Sequence, residues 1–177
     1  MGELSGFLQC GVIVTAGHAL GLGSAGGSSP ATTFKVLYSG GSEEDVTVLQ
    51  APPPSNTPDL MLLKGSHSAA PNFRGRSGAV MDTVYAFGYS GGSEGIPAGQ
   101  LPSCSKGLIA SVTPGAVAIT AQADDGFSGG PVVDHIGRLV GVVIRGGVST
   151  TTLRVGITSS YDVHTYLLQA GQPGLSP

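Results

Sequence analysis

The chain has 177 residues, 11% of them charged, and a formal net charge of −3, a length that suits one compact unit or two small barrels sharing an interface. The mild acidity and the lack of any Lys/Arg-rich run argue against a nucleic-acid partner or an anionic membrane, and the longest apolar runs fall far below the roughly 18 residues that span a bilayer. Thirty glycines and twelve prolines suit short strands joined by tight turns and suit long helices poorly.

Met1-Gly2-Glu3-Leu4 has no positively charged start followed by an apolar stretch, so no secretory signal is expected. Residues 7–10 and 12–15 read as two strands around Gly11. Residues 33–38 and 45–49 alternate in polarity, with 39–44 as their connection; Glu43, Glu44 and Asp45 are read as a solvated turn. A proline-rich loop over 50–58 delivers Asp59, and residues 60–63 are too apolar for a surface strand. Further strands are predicted over 79–89, 105–112, 116–122, 132–133, 139–144 and 153–158, with a loop over 90–102 and a hairpin turn at Pro114-Gly115. One helix is predicted, over 159–170, where Tyr161, Val163, Tyr166 and Leu167 share a face. Residues 172–177 read as a polar, proline-bearing tail.

Cys10 and Cys104 are the only cysteines. Two isolated cysteines read best as small buried hydrophobes in a reducing compartment. His67, His135 and His164 are scattered without metal-ligand spacing, and no metal or other cofactor is expected.

Three segments carry chemistry. Val12-Ile13-Val14-Thr15-Ala16-Gly17-His18 is an apolar strand ending in a small-residue turn and a histidine. Pro58-Asp59-Leu60-Met61-Leu62-Leu63-Lys64 is an aspartate opening a second apolar strand. Gly126-Phe127-Ser128-Gly129-Gly130-Pro131 sets a serine among glycines. A serine hydroxyl is a poor nucleophile at neutral pH, and a histidine of near-neutral pKa can serve as its base. A carboxylate on the far ring nitrogen holds the tautomer and balances the charge that develops. Each segment alone has a plain structural reading: a surface histidine, a capping aspartate, a hairpin turn. Their conjunction points to His18, Asp59 and Ser128. Asp45 is the weaker acid, because its alternating strand turns it to solvent. A G-x-S-x-G nucleophile elbow of an α/β-hydrolase is the other reading of the serine loop. It requires a helix after the serine, which Gly129-Gly130-Pro131 and β-branched Val132-Val133 deny.

In that order, 41 residues from histidine to aspartate and 69 from aspartate to serine, the segments resemble the chymotrypsin/trypsin-like serine proteases, from about Ser5 to about Leu168. That family carries a T-A-x-H turn, a D-[IL]-x-[LV]-[LI] strand and a G-x-S-G-[GST]-P loop. The resemblance implies an all-β fold of two six-stranded antiparallel barrels and a short C-terminal helix: about 1–70 for the first barrel, about 79–158 for the second, 159–170 for the helix and 171–177 for the tail. It implies a serine endopeptidase acting on protein or peptide substrates through an acyl-enzyme, with an oxyanion hole from the Gly126 and Ser128 N–H groups. By position, Gln122 and Ala123 would floor the specificity pocket, and Arg145, Gly146 and Gly156 would line its walls.

The departures from the family are informative. Ala19 follows His18, so the disulfide often found there is absent. Phe127 stands where a zymogen's aspartate would await a new N-terminus, which resembles the HtrA-like and viral members that fold directly into active form. The chain begins one strand late, so the first barrel is expected to be incomplete or the chain to be a piece of a longer polyprotein or multidomain chain. The rival expectation is a catalytically inactive trypsin-fold binding or assembly module.

Overall fold

The computed structural model describes residues 4–22, 33–55, 57–67, 72–90, 100–114, 116–124, 126–145 and 154–176. The elements are β1 (Gly6–Gln9), β2 (Val12–Ala16), α1 (Ala19–Leu22), β3 (Thr33–Leu37), β4 (Glu43–Gln50), β5 (Leu60–Lys64), β6 (Thr83–Gly88), β7 (Ser103–Thr113), β8 (Ala116–Ile119), β9 (Pro131–Val133), β10 (Leu139–Arg145), β11 (Val155–Ser159) and α2 (Ser160–Gln169).

Strands β2 and β5 are almost wholly apolar because every residue in them but Lys64 is buried. They pair in the middle of a five-stranded antiparallel sheet ordered β1-β2-β5-β4-β3, with Val14 opposite Leu62. The later strands close a six-stranded barrel ordered β10-β11-β8-β7-β6-β9. The second half is the expected closed barrel of six strands, whereas the first is an open sheet of five strands among the described residues.

A shared core joins the halves. Phe7, Val12, Val14, Leu60 and Leu62 of the sheet pack with Leu139 and Val142 of the barrel and with Val163, Tyr166 and Leu167 of α2. Complete burial of such side chains stabilises by about 1.5–3 kcal/mol each. Helix α2 starts where Ser159 caps it, its Oγ accepting the Asp162 N–H at 3.2 Å. The Tyr166 hydroxyl donates to the Ala51 carbonyl at 2.6 Å and so ties α2 to the loop that delivers Asp59. Burial pushes the Tyr166 phenol up to about 12.

Several expectations need correction. A four-residue helix, α1, follows His18 directly, so 160–169 is not the only helical stretch. Residues 43–45 lie in strand β4, not in a turn, because they continue the pairing with β3. Asp45 is exposed there, but Glu44 is half-buried and accepts hydrogen bonds from Tyr38, Ser66 and, through both oxygens, the Ser66 N–H at 3.0 Å. Residues 79–82 do not open β6: the Asp82 N–H turns back to the Ala79 carbonyl at 3.0 Å, and Met81 takes φ +74°. The tail is not a loose end. Leu175 is buried in the shared core, and the Ser176 carbonyl accepts the Gly75 N–H at 2.7 Å. Both cysteines are free, but neither is buried: Cys10 occupies the β1–β2 turn and Cys104 is exposed on β7.

Candidate active site

Strand β2 ends at Ala16, and the turn Gly17-His18 carries the histidine out of the sheet core. Asp59 immediately precedes β5, the strand paired with β2, and Ala16 stands opposite Leu60. The pairing therefore sets His18 beside Asp59. The carboxylate holds the histidine twice: Oδ1 accepts the His18 backbone N–H and Oδ2 meets Nδ1, each at 2.7 Å. Their side chains are 33% and 18% exposed, so the pair lies at the edge of solvent. Gly17 is required by space. A Cβ there would stand 2.9 Å from Asp59 Oδ1 and 2.7 Å from Pro52 Cβ. With Nδ1 engaged by the carboxylate, Nε2 is the remaining ring nitrogen, and no protein partner takes it among the described residues.

Ser128 lies in the loop between β8 and β9, half-buried. The backbone around it is pinned group by group. The Phe127 N–H donates to the Asp124 carbonyl at 3.0 Å, the Gly130 N–H to the Phe127 carbonyl at 2.8 Å, and the Gly129 N–H to the Val143 carbonyl at 2.6 Å. The Gly126 carbonyl accepts from Ser5 Oγ at 2.6 Å and the Ser128 carbonyl from the Ser5 N–H at 2.8 Å. From the Gly126 carbonyl to the Gly129 N–H, one backbone group has no partner among the described residues: the Ser128 N–H. The Gly126 N–H is likewise without an acceptor among them. The two N–H groups flank Phe127, whose own N–H is taken by the Asp124 carbonyl.

The loop rests on the first half of the molecule through Gly129. It takes φ +88°, and a Cβ on it would lie 2.1 Å from the Ser5 carbonyl oxygen, 2.4 Å from Thr15 Oγ1 and 2.8 Å from the Ala16 nitrogen. Ser128 is thus one residue from a backbone contact with Ala16, itself two residues before His18. No hydrogen bond joins Ser128 Oγ to His18 among the described residues. Phe127 is buried in the barrel core with Val84, Ala86 and Ala123, its ring lying over Gly88. Packing braces the loop there, as its apolar character implies. The serine is followed by strand β9, which excludes a nucleophile elbow.

The remaining expected residues are placed as follows. Ala123 is buried under the loop and Gln122 is exposed beside it. Gly156 pairs with Ala118 of β8, whose continuation carries Gln122 and Ala123, and with Arg145 of β10. Gly146 lies outside the described residues. Asp45, the competing acid, is exposed on β4 opposite Lys35, and Asp59 is the carboxylate on the His18 ring. Sequence reasoning missed the part played by Ser5 and Thr15. Thr15 Oγ1 donates to the Ser5 carbonyl at 2.7 Å. Thr15 lies within the T-A-G-H segment, and its hydroxyl on an otherwise apolar strand was the available signal.

A family model described as trypsin-like peptidase domain matches residues 5–142. Among curated proteins no match is found. The active form of the Rv3671c protease from M. tuberculosis is similar in structure, with a TM-score of 0.73 at 19% identity over 98% of this chain and 76% of that one. An inactive mutant of Rv3671c from M. tuberculosis H37Rv gives 0.70 at 20% identity over 95% of this chain and 81% of that one. The serine endoprotease from Yersinia pestis gives 0.71 at 20% identity, covering 96% of this chain and 58% of that one. At these identities the likeness is one of fold.

Proposed function

The chain belongs to the trypsin-like peptidase family, and from that premise we propose that it is a serine endopeptidase with Ser128 as nucleophile, His18 as base and Asp59 as the acid that orients it. The observation that carries this reading is the double hold of Asp59 on His18, which fixes the imidazole through Nδ1 and leaves Nε2 for a hydroxyl. A carboxylate that bonded the side chain alone would let the turn rotate; the second bond, to the backbone N–H, stops that.

In the proposed reaction, Ser128 Oγ attacks the carbonyl carbon of a peptide bond as its proton passes to His18 Nε2. Asp59 Oδ2 balances the imidazolium. The carbonyl π electrons move to oxygen, and that oxyanion meets the Gly126 and Ser128 N–H groups. Collapse breaks the C–N bond, and His18 returns the proton to the departing amine. Water, deprotonated by His18, then hydrolyses the ester and frees Ser128. Gln122 and Ala123, with Arg145, Gly146 and Gly156, are proposed to receive the side chain preceding the cleaved bond.

The test is covalent. A fluorophosphonate should label wild-type protein at Ser128, and Ser128→Ala should lose labelling and on the order of 10⁵–10⁶-fold in kcat. Wild-type protein that resists the probe, or activity in Ser128→Ala within tenfold of wild type, overturns the reading in favour of a binding module.

A further inference from the structure

We infer that Ser5 is a positioning residue for the oxyanion-binding loop, its hydroxyl fixing the peptide that follows Gly126. The inference rests on the proposed nucleophile loop. Ser5 is 4% exposed, and every polar group it has is engaged. Its Oγ donates to the Gly126 carbonyl at 2.6 Å and accepts the Tyr89 N–H at 2.9 Å. Its N–H donates to the Ser128 carbonyl at 2.8 Å, and its carbonyl accepts from Thr15 Oγ1 at 2.7 Å. One residue before β1 therefore ties the end of β6, strand β2 and both carbonyls that flank Phe127.

The chemistry requires a hydroxyl. The side chain must donate to one buried backbone group and accept from another, and only a hydroxyl does both at this size. An alanine would leave the Gly126 carbonyl and the Tyr89 N–H without partners in a buried place, where each unmade bond is costly. Gly126 is the weak point of the loop. It sits at φ +101° with no Cβ to restrict it. Its carbonyl belongs to the peptide that lies between the two donor-bearing peptides, so holding it limits how far the peptides on either side can turn. Without Ser5 Oγ that peptide keeps only the Phe127 N–H bond to the Asp124 carbonyl, and the two donors are held less firmly on one oxygen.

The decisive measurement is fluorophosphonate inactivation resolved into kinact and KI. The probe's phosphoryl oxygen occupies the oxyanion position while Ser128 Oγ displaces fluoride and His18 takes the proton. Losing an oxyanion donor outright costs roughly 10²–10³-fold, and a loosened one on the order of 10–10²-fold. Ser5→Ala should therefore lower kinact by about 10–10²-fold with KI little changed, and Ser5→Thr, which keeps the hydroxyl, should restore it. The pH dependence of kinact should stay that of wild type, because the His18–Asp59 pair is untouched. Equal kinact in Ser5→Ala and wild type, or equal losses in the alanine and threonine variants, overturns the inference while leaving Ser128 as nucleophile. Failure of wild type to label overturns both. If Ser5→Ala does not fold, the near-isosteric Ser5→Cys, a weaker donor, takes its place, and a wild-type kinact there is refuting.

Discussion

Gly129→Ala would test the contact that brings the two halves of the proposed site together. The substitution carries two penalties. At φ +88° a residue with a Cβ is strained, by roughly 1–2 kcal/mol for the left-handed conformation. The new methyl would also meet the Ser5 carbonyl oxygen at 2.1 Å, where ordinary contact begins near 3.4 Å. The loop must retreat by about 1.3 Å, the difference between those two distances, and its obstacles are backbone atoms and a hydroxyl already engaged. Overpacking of this kind costs about 1–3 kcal/mol, so the total loss should be about 2–5 kcal/mol. A displacement on the order of 1 Å at a nucleophile costs roughly 10²-fold in rate. Gly137→Ala is the control. It has φ +84° and nothing within 4 Å of its would-be Cβ, in an exposed turn, so it should lose only the conformational term, roughly 1–2 kcal/mol, with no change in labelling. Urea unfolding and fluorophosphonate labelling at a temperature where both variants are folded would separate the effects. Labelling of Gly129→Ala within threefold of wild type would show that close approach to β2 does not set the position of Ser128.

Asp59→Asn should lower kcat on the order of 10⁴-fold near neutral pH by favouring the wrong tautomer of His18, whereas exposed Asp45→Asn should leave it unchanged; the reverse ranking transfers the acid role. Phe127→Ala removes a ring buried in the barrel core, should destabilise by about 3–5 kcal/mol, and should slow labelling as the loop loosens. An unfolding midpoint close to wild type would contradict the packing described for it. Stability should fall in acid because of Asp134. Burial pushes this carboxyl up, but hydrogen bonds from the Arg138 N–H and guanidinium, the Ile136 N–H and Arg76 outweigh it and hold it at about 2, against 3.8 unperturbed. The folded state therefore binds this proton less readily than the unfolded one. The stabilisation is complete above about pH 4 and is lost as pH falls towards 2, on the order of 2 kcal/mol in all. Urea midpoints of Asp134→Asn should lack that acid-limb slope, and parallel curves for the two proteins would refute the assignment.

What could be read from the chain was whatever depends on local pattern. Strands β2 and β5 announce themselves because centrally paired strands are apolar on both faces, and the histidine and aspartate sit at their ends, where pairing makes them neighbours. The burial of Phe127 follows from an apolar ring in a place that otherwise demands charge. What stayed hidden depends on partners far along the chain. Glu43 and Glu44 look like a solvated turn until β3 pairs with them and Ser66 arrives from the end of β5. Leu175 looks like part of a loose tail until the linker before β6 gives Ser176 a backbone partner. Ser5 is the sharpest case. A serine before a glycine carries no periodic signal, and its two side-chain partners lie 84 and 121 residues away. Its place can be found only by asking where each carbonyl of the Ser128 loop sends its lone pairs. The same accounting leaves the Gly126 and Ser128 N–H groups without partners among the described residues, which is what supports the proposed oxyanion site. In the proposed site the loop's other donors are spent on the Asp124, Val143 and Phe127 carbonyls, while Ser5 occupies the carbonyls of Gly126 and Ser128, so that residues outside the loop shape it as much as those that border it.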